Sequence, residues 1–414
     1  MAHMSVHSRC SVLYFHSWMP SSKRRPSKTY KCDIDAEPLH RYRPGGYHPV
    51  LLGDVLHHGR YKIIHKMGWG GYATTWAAKD QKTPRYVALK ISVAEIAHRR
   101  EVQVLRGISG LPNSQPGASN SCKLLDHFNL DGPNGLHDCL VLELLGPSVS
   151  DIVEWCCKDD RLSADLAKSI SRQALQGLDF IARNGIVHGD IHVRNLAVEI
   201  PGIHRWTEDS FYNKLGTPVT AAVSSLDSEP LPSSVPSYIV QPIRFSSKHI
   251  PSSPTVKIID FGEAFLEDDA PATLHTPLAV RAPEIIFGDT LDKRVDLWSA
   301  GCLLFELVTG QPPFDTMMMT PPELVQQMLE FDRDGVPMRW QRKWQEMQAK
   351  IRPQDPMYTL QQWLEEVYFE NDRETGFTAD EIRQLGELVS SMLKIEPSRR
   401  ATARQVLDSP WFKE

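Results

Sequence analysis

Residues 186–195 read Ile186-Val187-His188-Gly189-Asp190-Ile191-His192-Val193-Arg194-Asn195. An Asp and an Asn stand five positions apart on a loop that follows the helically patterned stretch Leu162–Arg183. The Asp190 carboxylate can accept a hydroxyl proton or orient a nucleophile. Asn195 can offer its amide oxygen to Mg²⁺. Further on, Val256-Lys257-Ile258-Ile259-Asp260-Phe261-Gly262 is a short apolar strand that delivers a second carboxylate at its end. Asp260 in that place can hold Mg²⁺ between nucleotide phosphates.

Toward the N-terminus, Val87-Ala88-Leu89-Lys90 is an apolar strand ending in Lys. An ammonium inside such a strand needs a partner, because an unpaired buried charge is costly. A phosphate pair and a carboxylate on the next helix would serve. Glu101 and Glu95 are the candidates, and the apolar Val102, Val104 and Leu105 after Glu101 favour it. Gly68-Trp69-Gly70-Gly71-Tyr72-Ala73 lies between two strand-like runs. Glycines there let backbone amides approach phosphate oxygens. A hairpin turn is the plainer reading of the loop alone, and the strand that follows it argues against a dinucleotide-binding fold.

Short alternating runs at Tyr61–Lys66, Thr74–Lys79, Tyr86–Ile91 and Cys139–Leu144 predict strands, with a helix over residues 94–108 on apolar Ile96, Val102, Leu105 and Ile108. After residue 150 the patterning turns helical, at Asp296–Thr309, Glu323–Phe331, Leu360–Tyr368, Thr378–Lys394 and Thr402–Leu407. The expected fold class is therefore α+β, a small strand-rich unit followed by a larger helical one. Residues 41–145 form the first and 146–414 the second. Residues 201–254 hold eight of the 30 Pro and eleven Ser, and read as a long insertion or flexible linker. Residues 1–32 carry six Lys or Arg and no acidic residue. Residues 1–40 read as a basic flexible tail, although a transit peptide or nuclear signal has the same composition.

The 414 residues are 41% hydrophobic and 23% charged, which excludes collagen-like, coiled-coil and wholly disordered chains. A formal charge of −5 speaks against a general nucleic-acid binder. No apolar run reaches the roughly 20 residues of a membrane span. Seven Cys without a CxxC spacing predict reduced thiols and no zinc site.

Taken in order with Arg281-Ala282-Pro283-Glu284, the Asp296–Gly301 segment and Arg400, these motifs resemble the eukaryotic protein kinase family from about Arg60 to Phe412. Within it the chain is similar to the SR-protein kinases, in a fungal-type branch. That likeness rests on Gly45-Gly46-Tyr47-His48-Pro49-Val50, Trp69 in the glycine loop, Leu142-Glu143-Leu144-Leu145-Gly146 and the position of the insertion. The resemblance implies a two-lobed kinase fold with ATP and Mg²⁺ between the lobes. Met67, Gly68, Trp69, Gly70, Gly71, Tyr72, Ala73, Thr75, Ala88, Lys90, Glu143 and Leu145 would contact the nucleotide. Asn195 and Asp260 would bind the metal, and Asp190 and Lys90 would be catalytic. Glu101, Arg281, Glu284, Asp296 and Arg400 would be structural, with Glu284 pairing Arg400 and Asp296 holding the catalytic loop.

Several positions depart from the family pattern. Ala73 stands where a third Gly is usual, and Thr75 where Val usually covers adenine. His192 replaces the Lys two residues after the catalytic Asp, so that Arg194 or a protonated His192 is expected to supply its charge. Gly189 replaces the Arg that reads an activation-segment phosphate, which implies activity without that phosphate. Thr276 lies one position further from Ala282 than expected. Glu263, Glu267, Asp268 and Asp269, with no Lys or Arg until Arg281, would attract a basic peptide, and the resemblance implies an Arg/Ser-rich protein substrate. The expected enzyme is a monomeric protein serine/threonine kinase of the cytoplasm, nucleus or both, without direct nucleic-acid or membrane contacts. Two other readings stand beside it. The altered Ala73, Thr75 and His192 leave room for a pseudokinase scaffold. The His-Gly-Asp-x-His-x-x-Asn loop also suits a small-molecule phosphotransferase, which would lack the Ala-Pro-Glu platform.

Overall fold

The structure, a computed structural model, describes residues 29–95, 99–157, 160–314, 319–351, 358–370 and 376–413. It opens with β1 (Tyr30–Lys31), β2 (Val55–Leu56), β3 (Tyr61–Gly70), β4 (Ala73–Asp80), β5 (Arg85–Ser92), α1 (Arg99–Gly110), β6 (Leu124–Gly132) and β7 (Gly135–Glu143). Strands β2 to β7 form one antiparallel sheet in the order β2-β3-β4-β5-β7-β6. Its two faces follow from the period of two along each strand. Val87, Leu89 and Ile91 of β5 join Val50, Trp76 and Val141 in one core. Tyr86 and Ala88, which alternate with them, face the other way into a second core.

The larger lobe contains α2 (Val149–Cys156), α3 (Ala164–Arg183), β8 (Ile186–Val187) and β9 (Leu196–Val198). The insertion then supplies α4 (Glu208–Leu215), β10 (Thr220–Ala222), β11 (Ser224–Ser225) and β12 (Tyr238–Val240). The lobe resumes with β13 (Val256–Ile258), β14 (Phe265–Leu266), α5 (Pro283–Phe287), α6 (Arg294–Thr309), α7 (Pro321–Phe331), α8 (Gln341–Gln348), α9 (Leu360–Phe369), α10 (Ala379–Met392) and α11 (Ala403–Leu407). Helix α6 is apolar on nearly every side and is buried accordingly, at the centre of the lobe's core. Thr359, Thr378 and Thr402 each close a capping box on the helix they precede, with Gln362, Glu381 and Gln405. The short pairs β9–β13 and β8–β14 bring residues 190–195 and 260 to one place.

Two expectations about unstructured segments need correction. Residues 201–254 are not a loose linker. Ser and Pro fill the turns, while Ile203, Phe211, Leu215, Ile243 and Phe245 bury themselves against Ile64, Ala77, Tyr86 and Ala88 of the sheet and Leu144 just after it. The bulk composition concealed these widely spaced apolar residues. Ile243 N donates to Lys66 O at 3.0 Å, and Tyr212 Oη donates to Ile64 O at 3.4 Å. The insertion thereby covers the edge of β3 beyond its short pairing with β2, an edge that would otherwise invite another strand.

Nor is residue 40 the end of a flexible tail. Strand β1 pairs with β11, and Tyr30, Cys32, Ile34, Ala36 and Leu39 pack with Val223, Val235 and Ile239 of the insertion. Glu37 forms a buried ion pair with Lys66 of β3 and accepts from Tyr42 Oη. Gly46 lets the chain turn tightly here, because a Cβ would sit 1.8 Å from Arg41 O. The rest of the tail, residues 1–28, and Ile96 lie outside the described residues.

Candidate active site

Strand β5 carries Lys90 to the mouth of the cleft. Its Nζ lies 2.7 Å from Glu101 Oε1 on α1 and 2.8 Å from Asp260 Oδ1 beyond β13. Burial would lower the Lys90 ammonium, but the Asp260 and Glu101 carboxylates raise it well above its ordinary value. The same ammonium holds the Asp260 carboxyl down at about 2. Asp260 has a left-handed backbone, with φ of 61°, strain that a non-glycine residue rarely accepts. Glu95, the competing partner for Lys90, pairs instead with Arg41 at 3.1 Å.

The loop between β8 and β9 is held from below and from within. His188 N and Gly189 N donate to the two oxygens of the buried Asp296 at 2.7 and 2.8 Å. Burial pushes the Asp296 carboxyl up to about 7, against the pull of those two amides. His188 is buried edge-on to Phe261, and its Nδ1 accepts from Asp190 N at 3.2 Å. Gly189 takes φ of 78°, and a Cβ there would lie 2.9 Å from Glu263 O. The Arg usual at that position would have to enter a conformation and a space that suit only Gly.

Asn195 Nδ2 donates to Asp190 O at 2.8 Å and to Asp190 Oδ2 at 3.0 Å. That commits the amide nitrogen and leaves the amide oxygen as the group able to face a cation. Asp190 Oδ1 is buried with no partner among the described residues, as expected of an acceptor meant for a hydroxyl that arrives from outside. His192 Nε2 lies 3.4 Å from Asp190 Oδ2, and its Nδ1 accepts from Arg194 N. Glu306 of α6 lies beneath. Burial pushes its carboxyl up to about 7, opposed by the charges of His192 and Arg194.

The glycine loop is the hairpin between β3 and β4, in which Gly68 faces Thr75, Trp69 faces Thr74 and Gly70 faces Ala73. Met67 packs partly buried beside Ala88 and Leu144. Tyr72 is exposed at the tip, and Thr75 lies opposite Lys90 in the sheet. Glu143 ends β7, and Leu144 and Leu145 follow it, both buried. Lys90, Glu101, Asp190, Asn195 and Asp260 are thus brought into one cleft between the sheet and the helical lobe. The scaffold residues lie behind it. Arg400 makes a bidentate pair with Glu284 at 2.6 and 2.7 Å, both side chains buried. Arg281 donates to Thr276 O at 2.9 and 2.6 Å, and Thr276 Oγ1 donates to Gly189 O at 2.7 Å.

Sequence reasoning missed three features. The extension clamps the glycine loop, with Tyr47 Oη donating to Gly70 O at 2.7 Å and Arg41 to Gly71 O. Lys257 ties Glu143 to Glu199. The acidic residues after Asp260 have basic partners from elsewhere: Glu263 with His275, Glu267 with Lys293 and Asp269 with Arg100. The first had a signal in Gly46-Tyr47, but the others join residues too distant in sequence for spacing to relate.

The protein kinase domain family matches residues 61–202 and 246–412, and the gap falls within the insertion. Serine/threonine-protein kinase SRPK of Physarum polycephalum is 30% identical over 92% of this chain and 92% of its own length. Protein kinase dsk1 of Schizosaccharomyces pombe is 25% identical over 94% of this chain and 87% of its own. Human SRSF protein kinase 3 is 37% identical over a shorter stretch, 40% of this chain and 30% of its own. A solved crystal structure of another kinase domain has the same fold, with a TM-score of 0.59 at 18% identity over 89% of this chain and 99% of its own. The chain belongs to the protein kinase family, as an SR-protein kinase-like, ATP-dependent serine/threonine kinase.

Proposed function

We propose that this kinase transfers the γ-phosphoryl group of ATP to a Ser hydroxyl, with Thr as a second acceptor, in basic Arg/Ser-rich proteins. One observation carries the chemistry. Lys90 is shared by Glu101 and Asp260 at 2.7 and 2.8 Å, while Asp190 keeps one buried oxygen without a partner among the described residues. In this reading Lys90, held by Glu101, positions the α- and β-phosphates. The hairpin Gly68–Ala73 closes over them, and Glu143 and Leu145 present backbone groups to adenine. Asp260 and the Asn195 amide oxygen suit a hard divalent cation, and Mg²⁺ bound there would neutralise charge on the phosphates. Asp190 orients the Ser hydroxyl and takes its proton. The hydroxyl oxygen bonds to the γ-phosphorus as the bond to the β-phosphate oxygen breaks, and ADP leaves. Positioning and charge neutralisation supply most of the acceleration.

The basic-substrate part of the reading draws on the names of the Physarum and human relatives and on the acidic run 263–269. Internal pairing of Glu263, Glu267 and Asp269 weakens that run as an attractor, since each already faces a basic side chain. Mg²⁺-dependent transfer of γ-labelled phosphate to an Arg-Ser repeat peptide tests it, with an acidic Ser peptide for comparison and Asp260→Asn protein as blank. Labelling of the Arg-Ser peptide alone is expected. Equal labelling of both peptides would remove the substrate class, and labelling of neither, with ATP bound, would favour a scaffold.

The same reading holds the enzyme active without an activation-segment phosphate. No Arg stands at position 189 to read one, and Thr276, Arg281, His275 and Ser299 hold the segment through bonds within the chain. Phosphatase treatment is expected to leave kcat within about twofold, whereas a loop ordered by a phosphate would lose the hydrogen bonds that order it. Loss of most activity after dephosphorylation would contradict it.

A further inference from the structure

Lys257 sits in β13, whose three residues are all buried. An ammonium in such a strand must be met by carboxylates. Its Nζ lies 2.9 Å from both oxygens of Glu143 and 3.0 Å from Glu199 Oε1. Glu143 Oε2 also accepts from Lys123 N at 3.1 Å. Four segments therefore meet at one cation. Two belong to the smaller lobe: the end of β7, which runs into Leu144 and Leu145, and the stretch between α1 and β6 that holds Lys123. Two belong to the larger lobe: the strand that carries Asp260, and Glu199 at the root of the insertion. Backbone bonds reinforce the junction, with Cys122 N donating to Ile258 O at 2.9 Å and Glu199 N to Thr255 O at 2.9 Å.

We propose that Lys257 is a positioning residue for nucleotide binding, which couples the root of the insertion to the adenine-facing segment. This rests on the reading of Glu143 and Leu145 as that segment. Glu143 and Glu199 both reach to within 3.0 Å of the same Nζ. Without the cation, two carboxylates would converge on one partly buried spot and repel each other. Glu143 is the more enclosed of the two carboxylates, at 27% against 41% exposure, and it leads directly into the residues that face adenine. Without Lys257, the repelled Glu143 carboxylate would move toward water and carry the adenine-facing backbone with it. Loss of Lys257 would act on nucleotide affinity before it acts on the protein substrate.

Titration calorimetry of the full chain with Mg²⁺ and the non-hydrolysable analogue AMP-PNP tests this. Lys257→Met keeps the bulk of the stem and removes the charge. It is expected to raise Kd about tenfold, with the peptide KM within about twofold. Lys257→Arg should stay near the native Kd. Adding Glu199→Gln to Lys257→Met removes one of the two repelling charges and is expected to recover at least about half of the loss. A merely structural ion pair predicts no such recovery in nucleotide affinity. A native Kd in Lys257→Met, whatever its melting temperature, would overturn the proposal, as would a double variant no better than the single one. Should Lys257→Met fail to fold, Glu143→Gln serves in its place, with weaker AMP-PNP binding expected and unchanged binding overturning the inference. Ala88→Phe, which fills the adenine position, separates the two levels. Unchanged binding there would defeat the reading of the nucleotide site itself. Weakened binding there with a native Kd in Lys257→Met would defeat only the role of Lys257.

Discussion

Asp190→Asn is expected to lower kcat by about 10²- to 10⁴-fold, the usual contribution of a positioned acid–base group. The substitution is nearly isosteric, its amide oxygen can still accept from Asn195 as Asp190 Oδ2 does, and the rest of the loop is held by other bonds. Asp296 holds the His188 and Gly189 amides, and Asn195 also bonds to the Asp190 carbonyl. What changes is the buried Oδ1, which has no partner among the described residues and can accept a hydroxyl proton. An amide cannot take that proton. AMP-PNP binding should stay within about threefold, because Lys90 and Asp260 are untouched, and the loss should fall on kcat rather than on the KM for ATP. Steady-state kinetics with both substrates varied, beside a thermal melt, decides it. Native kcat in the Asp190→Asn enzyme would remove Asp190 from the chemistry.

The second large effect concerns stability. Arg400→Met leaves the Glu284 carboxylate buried and unpaired, at a cost of about 3–5 kcal/mol. Both side chains are almost fully enclosed, at 0% and 2% exposure, so water cannot replace the lost guanidinium. The expected reading is a markedly lower urea midpoint with an unchanged slope. Glu284→Leu added to Arg400→Met should return a large part of the loss, since it removes the stranded charge. The return will be incomplete, because Arg400 also donates to Arg294 O at 2.7 Å and Lys394 O at 2.9 Å. If Arg400→Met unfolds at the native urea concentration, the pair does not hold the lobe together as argued.

Much of this architecture was legible in the order of short motifs. The strands flanking the glycine loop, Lys90 at the end of its strand and the run into Asp260 all carry local patterns that survive in the structure as β3, β4, β5 and β13. Helices α3, α6 and α10 were legible because their apolar residues recur over ten or more positions. Helix α2 was not, as eight residues give too little periodicity beside Trp155 and two Cys. Strand β6 was hidden by alternating Asp, His and Asn, of which only Phe128 is buried in its central part. In the site, chemistry dictated the residues that act on phosphates, since few side chains can do so. The Lys257 junction and the Tyr47 clamp could not be read, for they depend on segments 58 or more residues apart, or on backbone carbonyls that any sequence offers.

The pairing of β1 with β11 also dictates a sequence of events during synthesis. Cys32 reaches Ala221 across 189 residues of chain. A ribosome adding about 5–20 residues each second needs roughly 10–40 s to cover that distance. During that interval the first strand has no partner, Lys66 awaits a settled Glu37, and the edge of β3 stands uncovered. The smaller lobe of this kinase is therefore finished only after the first part of the larger one, including α2 and α3, has been made, and a chaperone that shields a nascent β-edge would find its substrate in that window.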